Sequence, residues 1–147
     1  MRTSLHLAAG VADAIRSHGV ETYPHECCGA LVGRDGEVTG AVPLANTTDE
    51  GPRRRFLVRP SDYQQAERAA DSAGAELLGF YHSHPDHPAR PSQYDLDHAW
   101  PNFSYIIVSV TAGVAEDMRS WKLREDRSAF DEEVLAGESP ALLTPNS

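Results

Sequence analysis

The chain has 147 residues, 40% of them hydrophobic, which suits a single domain whose core is built around a sheet. Its formal net charge of -9 at pH 7 disfavours a phosphate backbone as a partner, so we expect no nucleic-acid ligand. The sequence has neither the roughly 20 consecutive apolar residues of a membrane span nor the apolar core of an export signal, so we expect no membrane partner and a cytoplasmic location.

The N-terminal part of the chain predicts a helix followed by a hairpin. Apolar residues recur at helical spacing over residues 5–17, and Gly19 supplies a stop. The runs at residues 29–33 and 37–42 flank an Asp-Gly dipeptide, which is typical of tight turns between strands. We therefore expect these two runs to form neighbouring antiparallel strands.

The middle of the chain predicts a loop, a short strand and a second helix. Residues 46–54 are polar and carry part of the dense basic run of the sequence, which we interpret as a solvated rim. Residues 56–58 predict a short strand. A helix is expected over residues 60–72, with Ser61 as its cap and Gly74 as its stop.

The next segment predicts the core strand and the loop that follows it. Residues 75–84 predict a core strand, in which an apolar run at residues 77–81 is followed by two histidines at the C-terminal end. A site is therefore expected there, at the edge of the sheet. Three prolines stiffen the following loop. A short helix is expected over residues 92–99, and strands over residues 105–110 and 120–123.

These elements together predict an α/β (α+β) fold, in which a mixed, mostly antiparallel and curved sheet is flanked by helices. One domain is expected over residues 1–136. Residues 137–147 are rich in proline, serine and small residues, and we expect them to be a disordered tail. The oligomeric state is left open.

Four polar residues around the proline-rich loop have the composition of a catalytic metal site. His82 and His84 are two positions apart on the predicted strand, so their side chains project to one face. Asp95 follows the loop and can turn back toward them, and three ligands of N and O type leave one position open, as in catalytic zinc sites. Ser92 and Asp95 also fit a helix-capping arrangement, and this role is compatible with metal binding.

A hydrolytic metal site also needs a proton acceptor that does not bind the metal. The carboxylates nearest to the site in sequence are Asp86 and Asp97, and the residue pattern alone does not choose between them. His25 and His87 flank the motifs, but three ligands and a water already complete a tetrahedron. The adjacent Cys27 and Cys28 suit neither a disulfide framework nor a CxxC motif, and Cys28 is expected to be a small buried strand residue.

Three segments together resemble the JAMM family of metallopeptidases, which is also called MPN-plus or Mov34/PAD-1. They are residues 24–33, with the sequence PHECCGALVG, the segment His82-Ser83-His84-Pro85, and the segment Ser92-Gln93-Tyr94-Asp95. The resemblance covers the order of elements from the first helix to about Leu123. It implies a single JAMM/MPN-like domain that hydrolyses an amide bond.

The resemblance also implies a role for each residue of the site. His82, His84 and Asp95 would hold Zn²⁺, and Glu26 would act as the general base that takes a proton from the attacking water. Ser92 would donate a hydrogen bond to the oxyanion of the tetrahedral intermediate, a contribution of about 3 to 4 kcal/mol. Without the resemblance, Glu26 would be an ordinary acid at the start of a strand.

The family resemblance leaves several substrates open. The short chain is similar to the compact prokaryotic members, which implies cleavage after the C-terminal Gly-Gly of a ubiquitin-like sulfur carrier protein, with release of an amino acid such as cysteine. An extended Gly-Gly tail fits a narrow groove that side chains would block. The alternatives are an isopeptidase that removes a ubiquitin-like modifier from lysine, a non-catalytic MPN-type scaffold, and a phage-tail or peptidoglycan peptidase.

Overall fold

The computed structural model describes residues 4–44 and 59–137, which form seven strands and three helices. In chain order these are β1 (Ser4–Leu7), α1 (Val11–Thr22), β2 (Cys28–Arg34), β3 (Glu37–Leu44), α2 (Pro60–Ser72), β4 (Glu76–Pro85), α3 (Gln93–His98), β5 (Ser104–Thr111), β6 (Val114–Leu123) and β7 (Phe130–Gly137). The predicted α+β class is confirmed. The predictions for residues 46–54, residues 56–58 and the tail beyond Gly137 lie outside the described residues.

The strands close into a barrel in the order β1-β3-β2-β4-β5-β6-β7. Four neighbouring pairs are antiparallel, including the predicted β2–β3 hairpin, and three are parallel, including β4–β5. Strand β4 lies between β2 and β5 and therefore has a hydrogen-bonded neighbour on each side. The site at the C-terminal end of β4 therefore lies on a strand with neighbours on both sides, and the prediction that it lies at the edge of the sheet is wrong.

Strand β4 is buried on both faces because its side chains alternate between two hydrophobic clusters. Phe80 packs in one cluster with Ala66 of α2, whereas Tyr81 packs in the other with Ile15 of α1. His82 and His84 have the same parity along the strand as Phe80, so both histidines belong to the face that α2 covers.

The predicted N-terminal helix begins too early. The structure has the strand β1 at residues 4–7, and α1 starts only at Val11. Leu5 and Leu7 are buried while Ser4 and His6 are exposed, a period of two that belongs to a strand. This short strand pairs with β3 and β7, and such distant partners cannot be read from local spacing.

Two predicted helix signals act differently from expectation. Gly19 does not end α1, which continues to Thr22; a Cβ at Gly19 would lie 3.1 Å from Val110, so this glycine allows close packing of α1 on β5. Ser61 does not cap α2, because the helix begins after Arg59, whose N–H donates to the Asp62 carboxylate. The Gly74 stop is confirmed, with a positive φ of 67° just beyond the helix.

The C-terminal part of the barrel is larger than predicted. Strand β6 begins at Val114 rather than at residue 120, and β7 was not predicted at all. Leu135 of β7 is buried in the same cluster as Leu5 and Leu7. The strand ends at Gly137, so the predicted domain boundary at residue 136 falls within β7.

Candidate metal centre

Two histidines at the end of β4 present their Nε2 atoms to one point. His82 is 1% exposed and His84 is 7% exposed, and their Nε2 atoms lie 3.2 Å apart. The alternation of side chains along a strand explains this, because positions i and i+2 share a face. The predicted pairing of the two imidazoles is therefore present in the structure.

Asp95 completes a group of three at the first turn of α3. Its Oδ2 lies 3.1 Å from Nε2 of His84 and 3.4 Å from Nε2 of His82. The turn is fixed by a capping box, in which the Asp95 N–H donates to Ser92 Oγ at 3.0 Å and the Ser92 N–H donates to Asp95 Oδ2 at 2.8 Å. The sequence-predicted capping role and the approach to the histidines thus occur together.

The three ligand atoms have the spacing of a tetrahedral metal site. With metal–ligand distances of about 2.0–2.1 Å, the ligand atoms of a tetrahedron are separated by about 3.3 Å. The observed separations of 3.1, 3.2 and 3.4 Å form one triangular face of such a tetrahedron. Within the part of the chain that the structure describes, His82, His84 and Asp95 form the one group of this kind.

The hydrogen bonds of His84 favour a cation at this point. Nδ1 of His84 lies 2.8 Å from the carbonyl oxygen of Pro88. A carbonyl can only accept, so Nδ1 carries the proton, and Nε2 of the neutral ring keeps its lone pair. That lone pair faces Oδ2 of Asp95, which is also an acceptor, so the two atoms require a proton or a metal ion between them.

The pKa values of the site indicate the same preference for positive charge. Burial would raise the pKa of the Asp95 carboxyl, but the charge of His82 and hydrogen bonds from both histidines and Ser92 hold that pKa well below its usual range. Burial would lower the pKa of His84, but the hydrogen bond to Asp95 and its negative charge raise that pKa overall. A divalent cation would supply this positive charge without a proton.

The loop after β4 is held by three side chains that donate to three successive carbonyl groups. Ser109 Oγ donates to the carbonyl of His87 at 2.6 Å, His84 Nδ1 to that of Pro88 at 2.8 Å, and Trp121 Nε1 to that of Ala89 at 3.0 Å. Ser109 belongs to β5, which pairs with β4, and Trp121 belongs to β6, the next strand of the barrel. The loop therefore has a fixed backbone, and it also orients one of the candidate metal ligands.

Glu26 lies beside the candidate metal centre, although it is far from it in sequence. The Cys27 N–H donates to Ser83 Oγ at 2.8 Å, and the Ser83 N–H donates to the Cys27 carbonyl at 3.2 Å. These bonds extend the pairing of β2 with β4 by one step and bring Glu26 next to His84. Glu26 is half-buried, and its charge contributes to the raised pKa of His84.

The two other carboxylates considered from the sequence are engaged elsewhere. Both oxygens of Asp86 lie within 2.9 Å of the Tyr23 hydroxyl, and Oδ1 also accepts the Ala112 N–H at 3.0 Å. Asp97 is exposed and accepts a hydrogen bond from Gln93. Neither lines the cleft at the metal centre, whereas Glu26 does.

The cleft at the metal centre has a volume of about 620 Å³. It is lined by Glu26, His84, Pro85, His87, Pro88, Arg90, Ser92, Gln93, Tyr94 and Asp95. The exposed Ser92 uses its Oγ as an acceptor for the Asp95 N–H, so its hydroxyl hydrogen can still point into the cleft. An acid, a hydroxyl and the three-ligand centre therefore share one opening.

A family model described as prokaryotic homologs of the JAB domain matches residues 8–124. The chain belongs to this family. The resemblance to the JAMM family that the motifs indicated is thereby confirmed. The fold is also that of a JAB1/MPN domain protein from Archaeoglobus fulgidus, which is 19% identical with a TM-score of 0.60 over 92% of this chain and 98% of that chain.

Several proteins of known name or structure are similar to this JAB-family chain. A desampylase from Haloferax volcanii is 39% identical over 71% of this chain and 80% of its own length. A probable TtuB-protein conjugate cleaving protease from Thermus thermophilus is 34% identical over 70% and 68%, and a CysO-cysteine peptidase from Mycobacterium tuberculosis is 26% identical over 81% and 82%. A protein from Salinibacter ruber of known solution structure is 40% identical, with a TM-score of 0.72 over 94% of each chain.

The remaining predicted residues of this JAB-family chain lie apart from the three-ligand group. His25 is exposed, and His87 lines the cleft without joining the group. Both cysteines are buried, as expected for Cys28; burial raises the pKa of Cys27 to about 11 and that of Cys28 to about 12, so both thiols stay protonated near neutral pH. Neither cysteine belongs to the three-ligand group.

Sequence reasoning missed two features of the site. Arg90 lines the cleft, and its position two residues before Ser92 was the available signal. The contact between Tyr23 and Asp86 joins residues 63 positions apart, and no local pattern predicts it. None of the helices within residues 4–44 and 59–137 has the length and apolarity needed to cross a membrane.

Proposed function

We propose that this protein is a zinc-dependent metallopeptidase that hydrolyses the amide bond after the C-terminal Gly-Gly of a ubiquitin-like sulfur carrier protein and releases an amino acid such as cysteine. The observation that carries the proposal is the convergence of His82, His84 and Asp95, whose ligand atoms lie 3.1–3.4 Å apart beside an open cleft. Membership of the prokaryotic JAB family supports it independently.

Zinc is the metal that this set of residues fits best. Two imidazoles and one carboxylate, with the ligand spacing of a tetrahedron, are typical of catalytic zinc sites with one open position. When bound, Zn²⁺ would supply Lewis acidity, which brings the pKa of a coordinated water to about 7 and polarises a carbonyl group. The hydrogen bond from His84 to the Pro88 carbonyl would keep this ligand in the correct tautomer.

The proposed roles of the other residues follow from their places around the cleft. Glu26 accepts a proton from the attacking water and later donates it to the nitrogen of the leaving amine, since it lies beside His84 and lines the cleft. Ser92 donates its hydroxyl hydrogen to the oxyanion that forms at the scissile carbonyl, since its oxygen accepts the Asp95 N–H and its hydrogen is left for the substrate. The capping box thus positions both the proposed metal ligand, Asp95, and the proposed hydrogen-bond donor, Ser92.

The names of the relatives support a ubiquitin-like sulfur carrier as the substrate. One relative is a CysO-cysteine peptidase and another a probable TtuB-protein conjugate cleaving protease. Both names describe cleavage at a bond between a carrier and an attached group. We propose the same class of substrate here, in a cytoplasmic setting.

A second candidate function is cleavage of a carrier from the lysine of a target protein. The observation that favours it is the order of identity, because the desampylase and the conjugate protease are 39% and 34% identical, whereas the CysO-cysteine peptidase is 26% identical. A non-catalytic scaffold is disfavoured, since the chain retains all three ligand residues and Glu26.

The proposal is tested with two substrates and one variant. Zinc-loaded protein is incubated with CysO that carries a C-terminal cysteine and with TtuB linked to a lysine side chain, and the products are identified by mass spectrometry. We expect cleavage directly after Gly-Gly, and the faster substrate decides between the two candidate functions. Two intact substrates after prolonged incubation would refute both.

Glu26→Gln provides the matched control, because it keeps the size of the side chain and removes the proton acceptor. We expect it to retain zinc and to lose about 10²- to 10⁴-fold in turnover. Full activity of this variant would mean that another group is the base. Since Asp86 and Asp97 are engaged elsewhere, a water network would then have to be considered.

A further inference from the structure

The cleft at the metal centre holds one Arg or Lys side chain, that of Arg90, among the described residues that line it. The carboxylates of Glu26 and Asp95 line the same cleft, and the chain as a whole is strongly acidic. A guanidinium in such surroundings can attract a negatively charged group of a substrate into the cleft. This observation leads to an inference that rests on the proposed function and makes its substrate more specific.

Arg90 projects from a backbone that is fixed on both sides. On one side, the carbonyl of Ala89 accepts the Trp121 Nε1–H, and Ala89 is 1% exposed. On the other side, Pro91 restricts the chain and Ser92 belongs to the capping box. The backbone at Arg90 is therefore held in place, and its side chain lines the cleft.

The guanidinium of Arg90 has no hydrogen bond or ion pair with any residue in the described ranges. It is exposed, in contrast to Arg119, which pairs with both Asp117 and Glu132 at 2.9 Å. The fork of donors on Arg90 therefore remains available for a ligand. A guanidinium matches a carboxylate bidentately, which gives geometric selectivity as well as attraction.

The two candidate substrates differ in one group that such a cation would detect. When an amino acid is attached to the carrier through its α-amine, its α-carboxylate lies two bonds from the scissile nitrogen and must enter the cleft. The carboxylate of Glu26 repels that group, whereas the charge of Asp95 would be compensated by the bound zinc ion. A guanidinium that lines the cleft would offset the repulsion from Glu26. When the carrier is attached to a lysine side chain, a chain of methylene groups takes this place and carries no charge there.

We propose that Arg90 binds the α-carboxylate of the leaving amino acid and thereby selects carrier–amino acid adducts over lysine-linked conjugates. Arg90 is then a specificity-determining residue that touches the substrate on the leaving-group side of the scissile bond. The two candidate functions then differ in the leaving group that the cleft holds, which is an amino acid with a free carboxylate in the first and a lysine side chain in the second.

The test compares CysO bearing a C-terminal cysteine with CysO bearing cysteinamide, two substrates that differ only in the terminal charge. We expect the wild-type protein to prefer the free carboxylate by about 10- to 100-fold in kcat/KM, as is typical of a charge-assisted hydrogen bond. In Arg90→Gln this ratio should fall toward one, mainly through KM. Arg90→Lys should retain part of it, because a point charge replaces the fork.

Arg16→Gln is the matched control, since it removes the same charge from an arginine on α1 that does not line the cleft. It should leave the substrate preference at its wild-type value. Equal use of both substrates by the wild-type protein, or an unchanged ratio in Arg90→Gln, would overturn the role of Arg90 while the proposed function stands.

Binding measurements separate this inference from the proposed function. In the Glu26→Gln background, the dissociation constants of the two adducts are measured by calorimetry, so that no turnover is needed. Tighter binding of the carboxylate form, lost on Arg90→Gln, is the expected result. If neither adduct is cleaved by the wild-type protein, the proposed function fails, and equal dissociation constants would then overturn the role of Arg90 as well.

Discussion

The contact between Tyr23 and Asp86 predicts a loss of catalysis when the contact is removed. The Tyr23 hydroxyl lies 2.9 and 2.8 Å from the two oxygens of Asp86. Tyr23 is three residues before Glu26, and Asp86 follows the β4 strand that carries both histidines. The contact therefore links the segment of the proposed base to the segment of the proposed metal ligands.

Tyr23→Phe removes this link and keeps the aromatic ring. A hydrogen bond to a charged group is worth about 1.5–3 kcal/mol, and the solvent exposure of this pair places the expected loss at the lower end, at about 1.5 kcal/mol. We expect this lost interaction energy to appear as poorer positioning of Glu26 in the transition state. The value of kcat should then decrease about tenfold, since about 1.4 kcal/mol corresponds to one factor of ten. The zinc affinity should stay constant, because none of the ligands is changed.

The assay combines urea unfolding, zinc titration and kcat/KM with CysO–cysteine for Tyr23→Phe, Asp86→Asn and the double variant. A double-mutant cycle isolates the coupling of the two residues, which we expect to appear in kcat. Asp86→Asn retains an oxygen for the Ala112 N–H, so its effect should come mainly from the Tyr23 contact. A lower stability with unchanged kcat would refute the positioning role.

Two further predictions concern Ser92 and the charged pair of His84 and Asp95. Ser92→Ala should lower kcat about 10²- to 10³-fold and stability by about 1 kcal/mol, whereas Ser92→Thr, which keeps the hydroxyl and the cap, should retain most of both in kinetic and urea-unfolding assays. In the presence of a metal chelator, the lowered pKa of Asp95 contributes stability above about pH 4, and this contribution is lost as the pH falls further. The raised pKa of His84 contributes stability below about pH 6.5, and this contribution is lost as the pH rises further. The free energy of unfolding should therefore be highest between these values and decline on either side, and an equally curved profile for Asp95→Asn would contradict this.

Much of the candidate metal centre could be predicted because its signals are local. A strand that ends in His82 and His84, a rigid loop, and a cap that contains Asp95 follow each other in about 20 residues. Each local rule agrees with the final arrangement, and the capping geometry also brings the carboxylate to the histidines. The hairpin of β2 and β3 was predicted for the same reason, since a turn dipeptide fixes its register.

The other parts depend on contacts between distant residues. Strand β1 has four residues and is stable only because β3 and β7 pair with it, so its alternating pattern was mistaken for part of a helix. Strand β7 has three consecutive acidic residues, at positions 131–133, and buries Glu133, which accepts a hydrogen bond from Ser120, so a hydrophobicity pattern does not reveal this strand. Glu26 was identified through the family resemblance, because its neighbour His84 is 58 positions away.

The most direct test of the central claim is the metal content and the coordination of the zinc-loaded protein. Elemental analysis after dialysis should give one zinc per chain for the wild type and none for His84→Ala or Asp95→Ala. X-ray absorption should show nitrogen and oxygen ligands at about 2.0–2.1 Å and no sulfur at about 2.3 Å. Full zinc content in either variant, or a sulfur shell from Cys27 or Cys28, would contradict the proposed centre.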